Sequence, residues 1–261
     1  MLKDAYEKLL LTNSLRHALE RKEFSLHYQP QISLANGEIL GFEALLRWHS
    51  HEHGHVSPIR FIPLAEQNGL ILPIGEWVFG EACQFAHKLA TLGRSNLHVA
   101  VNVSPRQLAD TDFVPMVCRC ISDANIQAGQ LEVEITENVL SESLADSTRK
   151  LAALNALGIK LSLDDFGTGY SSLTYLRNLP VTTLKIDKTF IDKILEDKVQ
   201  EGFIRSIIDM AHVLGLHVVA EGVEPASQLS KLTALDCDCV QGYVFSRPLT
   251  EPAAIDFASS P

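Results

Sequence analysis

The sequence is poor in the features that would put it in a special class. Aromatic residues make up 7% of its 261 positions, and its five cysteines fall as Cys83, Cys118/Cys120 and Cys237/Cys239. An odd number so widely spread is no disulfide framework, and Cys-x-Cys is not the Cys-x-x-Cys of zinc ribbons. The thiols therefore read as small buried or half-buried groups in a reducing compartment. No apolar run reaches the roughly 18 residues of a transmembrane helix, and Lys3, Asp4 and Glu7 interrupt any signal-peptide core. The expected location is the cytoplasm, either for the chain as it stands or for it as the cytoplasmic domain of a larger, membrane-bound protein. Basic residues are outnumbered too: 22 Lys and Arg stand against 32 Asp and Glu, a net charge of −10. That balance argues against bulk nucleic acid or an anionic membrane surface as a partner, as the missing apolar span does against direct membrane insertion. It does not exclude an anionic substrate, provided a metal ion reverses the local sign.

What is present is a globular composition, 46% hydrophobic, at a length near the roughly 250 residues of one α/β barrel. Residues 2–21 have helical spacing, with Leu9, Leu10, Leu15, Ala18 and Leu19 as the apolar positions. Residues 1–23 are read as an N-terminal connector helix and 24–261 as the barrel domain. Phe24–Gln29 alternates at period 2, and Asn36-Gly37 leads into the apolar run Ile39–Leu46, which together predict an antiparallel hairpin. Ser57-Pro58 opens a helix that closes near Gly69, and a second helix is expected from about Gly75 to Thr91. Further strands are expected at 97–102, 131–135, 159–163, 183–186, 216–220 and near 239–240. Helical patterns at 113–125, 144–157, 172–179, 202–214 and 225–234 lie between them. Eight strands, most followed by a helix, predict an α/β fold: a modified TIM (β/α)8 barrel whose first pair is a hairpin.

The polar residues gather at the carboxyl ends of these strands, where barrel enzymes collect their catalytic groups. Glu43 and Arg47, four apart on an extended segment, point the same way, with Leu45 between them. Asn102, Glu134, Asp164-Asp165, Lys185, Glu221 and Gln241 end or follow the later strands, and Glu137 lies just past Glu134. So many carboxylates in one place repel unless neutralised, and hard divalent ions prefer carboxylate and amide oxygens. Glu43, Asn102, Glu134 and Asp164 make an oxygen-only ligand set. The Asp164-Asp165 doublet suggests a second ion, and two ions ~3.5–4 Å apart suit phosphodiester cleavage. Lys185 would stabilise the attacking hydroxide or a phosphate oxygen, Arg47 would fork onto nonbridging phosphate oxygens, and Glu221 would accept the proton of the water. The segment Asp165-Phe166-Gly167-Thr168-Gly169-Tyr170-Ser171-Ser172 fits neither phosphate-binding glycine pattern and lacks a kinase context. It reads as a loop ordered over the metals when substrate binds.

With these residues assembled, the chain resembles the EAL-domain family of cyclic di-GMP phosphodiesterases. The resemblance rests on Tyr28-Gln29-Pro30, Glu43-Ala44-Leu45-Leu46-Arg47-Trp48, Phe61–Glu66, Asn102-Val103-Ser104, Glu134-Ile135-Thr136-Glu137, Asp164–Ser172, Lys185-Ile186-Asp187, Glu221-Gly222-Val223-Glu224 and Gln241-Gly242. It spans about residues 24–250. The resemblance implies a barrel with its first strand antiparallel to the rest, and hydrolysis of cyclic di-GMP to linear pGpG. Mg²⁺ or Mn²⁺, as two ions, is the implied cofactor, with Ca²⁺ inhibitory. It implies Glu43, Asn102, Glu134, Asp164, Asp165 and Glu221 as metal ligands, and Lys185, Glu221 and Asp165 as catalytic residues. Gln29, Leu45, Arg47, Glu224 and Gln241 become substrate contacts. Glu137, with Gly167, Thr168 and Gly169, becomes the loop anchor. A homodimer and an upstream GGDEF or sensory domain are implied partners. No catalytic position is replaced.

Two rival readings remain. A catalytically silent cyclic di-GMP receptor or interaction module would have lost a ligand, the lysine or the loop motif, and all are present. An amidohydrolase-type barrel would use a His-x-His pair. His49-Ser50-His51 has that spacing but follows the second strand, with no partner histidines at later strand ends. The run His49–His55, with histidines at alternating positions, reads as a solvated loop without a ligand.

Overall fold

The computed structural model describes residues 2–136, 144–167 and 176–259. The chain opens with α1 (Leu2–His17), then β1 (Phe24–Ser33) and β2 (Ile39–Ser50), paired antiparallel in the register Gln29 opposite Glu43 and His27 opposite Leu45. A short strand β3 (Gly54–Val56) folds back on β2, placing His49 opposite His55. The expected solvated loop is thus a β-hairpin. The polar side chains of the segment hide a pairing that depends only on backbone groups. Helices α2 (Pro58–Asn68) and α3 (Ile71–Thr91) follow. The proline at the first turn and Gly69, at φ 74°, bound α2 as its caps require. α3 starts four residues before the expected Gly75.

From there strands and helices alternate: β4 (His98–Val103), α4 (Pro105–Ala109), α5 (Phe113–Ala124), β5 (Leu131–Thr136), α6 (Leu144–Ala156), β6 (Lys160–Phe166) and β7 (Thr183–Ile186). Then come α7 (Lys188–Ile191), α8 (Lys198–Val213), β8 (His217–Ala220), α9 (Ala226–Ala234), β9 (Cys239–Gln241) and α10 (Glu251–Ser259). The sheet runs β1-β9-β8-β7-β6-β5-β4-β2-β3, and the β1–β2 pairing closes it. β2 and β4 through β9 are parallel, and β1 is antiparallel to both β2 and β9. This is the barrel with a reversed first strand. Much of the expected 172–179 helix falls outside the described residues. The short α4, held by a Ser104–Gln107 capping box, as well as α7 and α10, lie where the periodicity indicated no helix.

The hydrophobic core lies outside the barrel wall. Val99, Val101, Val103, Leu131, Val133, Ile135, Leu161, Leu163, Leu184 and Ile186 belong to one apolar cluster with Phe79, Phe85 and Leu89 of α3 and Ile204 and Ile208 of α8. Burying each such large side chain contributes about 1.5–3 kcal/mol. α1 joins this core through Leu11 and Leu15, while Leu9 and Leu10 are exposed. Of the other expected apolar positions, Ala18 is buried and Leu19 packs half-buried on the core, so only Leu9 and Leu10 depart from the expected face. All five cysteines are free thiols, with Cys83, Cys237 and Cys239 buried.

The alternate residues of the same strands fill the barrel itself, and they are mostly polar. Most barrels fill this space with Val, Ile and Leu. Here Gln31, His98, Glu132, Glu134, Ser162, Lys185 and Gln241 are buried. Glu132 Oε2 lies 2.9 Å from His98 Nε2. Burial pushes the Glu132 carboxyl up, but the His98 contact and the Lys160 charge outweigh it and hold the group down at about 2. A carboxylate depressed in the folded state stabilises the fold above its unfolded value of 4.5 and loses that contribution as the pH falls towards 2. The shift corresponds to about 3 kcal/mol. Melting of the native chain and of Glu132→Gln, compared from pH 7 down to pH 3, should show a gap that is constant above pH 5 and narrows below it. A gap independent of pH would contradict the depressed Glu132 carboxyl.

Candidate active site

At the open end of the barrel the Lys185 ammonium, carried by β7, is wholly buried. Its Nζ lies 2.7 Å from Glu221 Oε1, 2.8 Å from Glu134 Oε2, 3.6 Å from Glu43 Oε2 and 3.7 Å from Asp164 Oδ1. Burial alone would lower the lysine pKa, but the surrounding carboxylates outweigh that and hold it well above its ordinary value. Neighbouring strands supply these groups because each contributes an inward residue at nearly one height: Glu43 lies beside Ala100, Asn102 beside Glu134 and Glu134 beside Ser162.

The doublet Asp164-Asp165 departs from strand alternation, which would turn Asp165 away from the barrel. The β6–β7 register shifts between Leu163 and Phe166, and Asp165 adopts φ 55°. This bulge with a left-handed residue swings the second carboxylate round to the first. A carboxylate oxygen each from Asp164, Asp165 and Glu221 then lie within 4.8 Å of one another, a group able to hold a metal ion. Left-handed aspartate is tolerated but strained, and such strain collects at functional sites.

Five carboxylates face one ammonium, and the imbalance shows in their proton affinities. Burial, reinforced by the Asp164 and Asp187 charges, raises Asp165 to about 6. Burial and the Asp164 and Glu43 charges, only partly offset by Lys185, raise Glu221 to about 8. Burial likewise lifts Asp164, and lifts Glu134 well above its usual value despite Lys185. Glu43 is the exception. Burial pushes it up, yet Lys185 and the amides of Gln241 and Asn102 hold it below the ordinary range. Asn102 Nδ2 donates to Glu43 Oε1 at 2.6 Å, and Gln241 Nε2 donates to Glu43 Oε2. Glu134 Oε1, fully buried, has no hydrogen-bond partner among the described residues. An orphaned carboxylate oxygen amid an all-oxygen donor set and excess negative charge fits a hard divalent cation.

Two clefts flank the cluster. One, of about 290 Å³, is lined by Leu45, Arg47, Asn102, Ser104 and Glu66 among others. The other, of about 240 Å³, is lined by Gln29, Lys188, Glu221, Glu224, Gln241 and Tyr243. Arg47 is half-buried, donates to the Leu46 carbonyl at 3.0 Å, and makes no ion pair among the described residues. Glu224 stands on the rim, 2.7 Å from Lys188 Nζ, apart from the carboxylate cluster. Gly167, at φ 94°, is the turn after β6. Glu137, Thr168 and Gly169, the other expected loop anchors, lie outside the described residues. The His49-Ser50-His51 pair builds no metal centre with the strand ends, since His51 Nδ1 lies 2.6 Å from Glu23 Oε1 on the hairpin side. Gln31, His98, Glu132 and Lys160, which line the barrel below the cluster, are missing from the expected site. They stand two or four residues from Gln29, Asn102, Glu134 and Asp164, so strand parity was the available signal.

The sequence profile of the EAL domain matches residues 12–248. The chain belongs to the EAL domain family. It is 41% identical over 246 residues to the bifunctional diguanylate cyclase/cyclic di-GMP phosphodiesterase MucR of Pseudomonas aeruginosa, covering 94% of this chain and 36% of MucR. It is 42% identical over 257 residues to the cyclic di-GMP phosphodiesterase NbdA of the same organism, covering 98% and 33% respectively. The chain thus spans about a third of the length of these curated relatives. The solved MucR phosphodiesterase in complex with c-di-GMP superposes with a TM-score of 0.90 at 40% identity, covering 94% of this chain and 99% of that one. No described helix is long and apolar enough to cross a membrane.

Groups raised to about 6 and about 8 hold protons near neutrality that a bound cation would displace. Calorimetric titration of this EAL domain with Mn²⁺ should therefore show proton release, read from buffers of different ionisation enthalpy. The apparent affinity should rise from pH 6 to pH 8. An affinity flat across that range would contradict a site built on these carboxylates.

Proposed function

We propose that this EAL domain hydrolyses one phosphodiester bond of cyclic di-GMP to give linear pGpG, lowering the level of a bacterial second messenger. The observation that carries the reading is the carboxylate cluster around buried Lys185, in a chain about 40% identical to named cyclic di-GMP phosphodiesterases. Glu43, Asn102, Glu134, Asp164, Asp165 and Glu221 would hold Mg²⁺ or Mn²⁺, as two ions. When bound, such ions supply Lewis-acid activation and cancel the charge that would otherwise repel an anionic substrate.

The chain's own residues do the rest. Arg47 offers its guanidinium fork to nonbridging phosphate oxygens. Lys185 holds Glu221 and Glu134 in place through its Nζ and steadies negative charge as the phosphorus is attacked. A Glu221 carboxylate oxygen takes the proton of the attacking water, and Asp165 shares in orienting that water. The clefts on either side of the cluster suit a ligand with two bases, with Leu45 in one and Gln29, Glu224 and Gln241 in the other. Glu137 would anchor the loop carrying Gly167, Thr168 and Gly169, which would order over the substrate. The domain works in the cytoplasm as a homodimer within a longer protein, and residues 1–23 connect it to an upstream GGDEF or sensory module.

Incubating the chain with cyclic di-GMP and Mn²⁺ and resolving the products by chromatography should yield pGpG. Asp164→Asn should lower the rate by more than ~100-fold, beyond the 10–100-fold typical of groups that only support a ligand. Tight binding of cyclic di-GMP without product would replace the enzyme with a receptor.

A further inference from the structure

Below the carboxylate cluster a chain of hydrogen bonds runs down the barrel axis, and the direction of every bond in it is fixed by its partners. Lys160 Nζ, on β6 at the closed end, lies 3.2 Å from His98 Nδ1. An ammonium can only donate, so Nδ1 must accept and carries no proton. His98 Nε2 lies 3.0 Å from Gln31 Oε1 and 2.9 Å from Glu132 Oε2. Both are acceptors, so Nε2 carries the proton and shares it between them. Gln31 has its oxygen turned to His98, and its Nε2 donates to Gln241 Oε1 at 3.0 Å. With its oxygen occupied, Gln241 turns its Nε2 to Gln29 Oε1 at 3.2 Å and to Glu43 Oε2. Every donor points the same way, from the Lys160 ammonium to the Glu43 carboxylate.

Steric fit holds the middle of the chain. Gly41 faces His98 across the β2–β4 ladder, and a Cβ there would lie 2.7 Å from His98 Cε1 and 2.8 Å from Cδ2. The absence of a side chain at position 41 leaves the slot in which the imidazole lies. Gln31, Gln241, His98 and Glu132 are all buried, so no solvent competes for these bonds. Hydrogen bonds in such a run polarise one another.

We infer that Lys160, His98 and Gln31 are positioning residues for Glu43: they set the His98 tautomer and the two amide orientations that aim the Gln241 N–H at the Glu43 carboxylate. The functional part of this inference rests on the phosphodiesterase reading; the orientation of Glu43 does not. If Lys160 is removed, Nδ1 is released to take the proton. The Gln31 and Gln241 amides can then flip and present oxygens to Glu43, which misaligns it for a cation.

The test has three readouts on the full chain. Long-range ¹H–¹⁵N correlation spectra should show His98 as the Nε2–H tautomer. The Nδ1–H tautomer or an imidazolium would overturn the inference. Mn²⁺ affinity by calorimetry should fall about 10–100-fold in Gln31→Leu and His98→Leu, the range typical of groups that orient a metal ligand. It should return to within a few-fold of the native value in His98→Gln, which can accept from Lys160 and donate to Gln31. If the leucine variants are not folded by circular dichroism, Lys160→Met, altered at the end farthest from Glu43, takes their place with the same expected loss. Turnover of cyclic di-GMP should fall through kcat with KM within about twofold, as expected for misalignment rather than lost binding. Folded variants that melt earlier yet bind Mn²⁺ like the native chain would make the network merely structural and overturn the inference. Weakened Mn²⁺ binding in the variants, beside a native chain that binds Mn²⁺ yet forms no pGpG, would uphold the positioning role and refute the phosphodiesterase reading.

Discussion

The buried Lys185 ammonium is the contact on which the open end of the barrel depends. Its Nζ is within 3.7 Å of oxygens from four carboxylates carried by four different segments. Without that charge, Glu43, Glu134, Asp164 and Glu221 could not share one buried volume unless protonated or bound to cations. One ammonium is nevertheless too little for five carboxylates, which leaves Asp165 and Glu221 with raised proton affinity. With every carboxylate ionised the cluster carries four excess negative charges, the number that two divalent cations would cancel.

The barrel makes this possible by reversing the usual distribution of polarity. Outward-facing residues of each strand are apolar and pack on the helices, while inward-facing residues form a connected polar interior. An apolar residue in place of Gln31 would leave the buried Gln241 Oε1 without its donor, at a cost of about 1–3 kcal/mol. The polar interior instead links the closed end of the barrel to the ligand cluster. One backbone irregularity at the cluster is equally purposeful. The bulge at Asp165 breaks the β6–β7 ladder and in return brings a second carboxylate beside Asp164.

Much of this was legible before the fold was seen, because period-2 apolar runs and strand-end carboxylates are local signals. Glu43, Asn102, Glu134, Asp164, Lys185 and Glu221 stand at equivalent ends of successive strands, and parallel pairing needs only that regularity to gather them. The Asn36-Gly37 turn likewise announces the reversed first strand. Other features depend on information that no local pattern contains. Alternation turns Asp165 outward, and only the bulge reverses it. His49–His55 reads as a loop because its pairing is made by backbone groups, not by an apolar face. The inward residues Gln31, His98, Glu132 and Lys160 look like strand polarity at random until the barrel closes and makes them neighbours.

The most direct measurement is anomalous diffraction at the manganese edge from crystals of this chain grown with Mn²⁺. Two peaks about 3.5–4 Å apart, bounded by Glu43, Asn102, Glu134, Asp164, Asp165 and Glu221, are the predicted result. Manganese bound elsewhere, with the Lys185 cluster unliganded at saturating Mn²⁺, would contradict it.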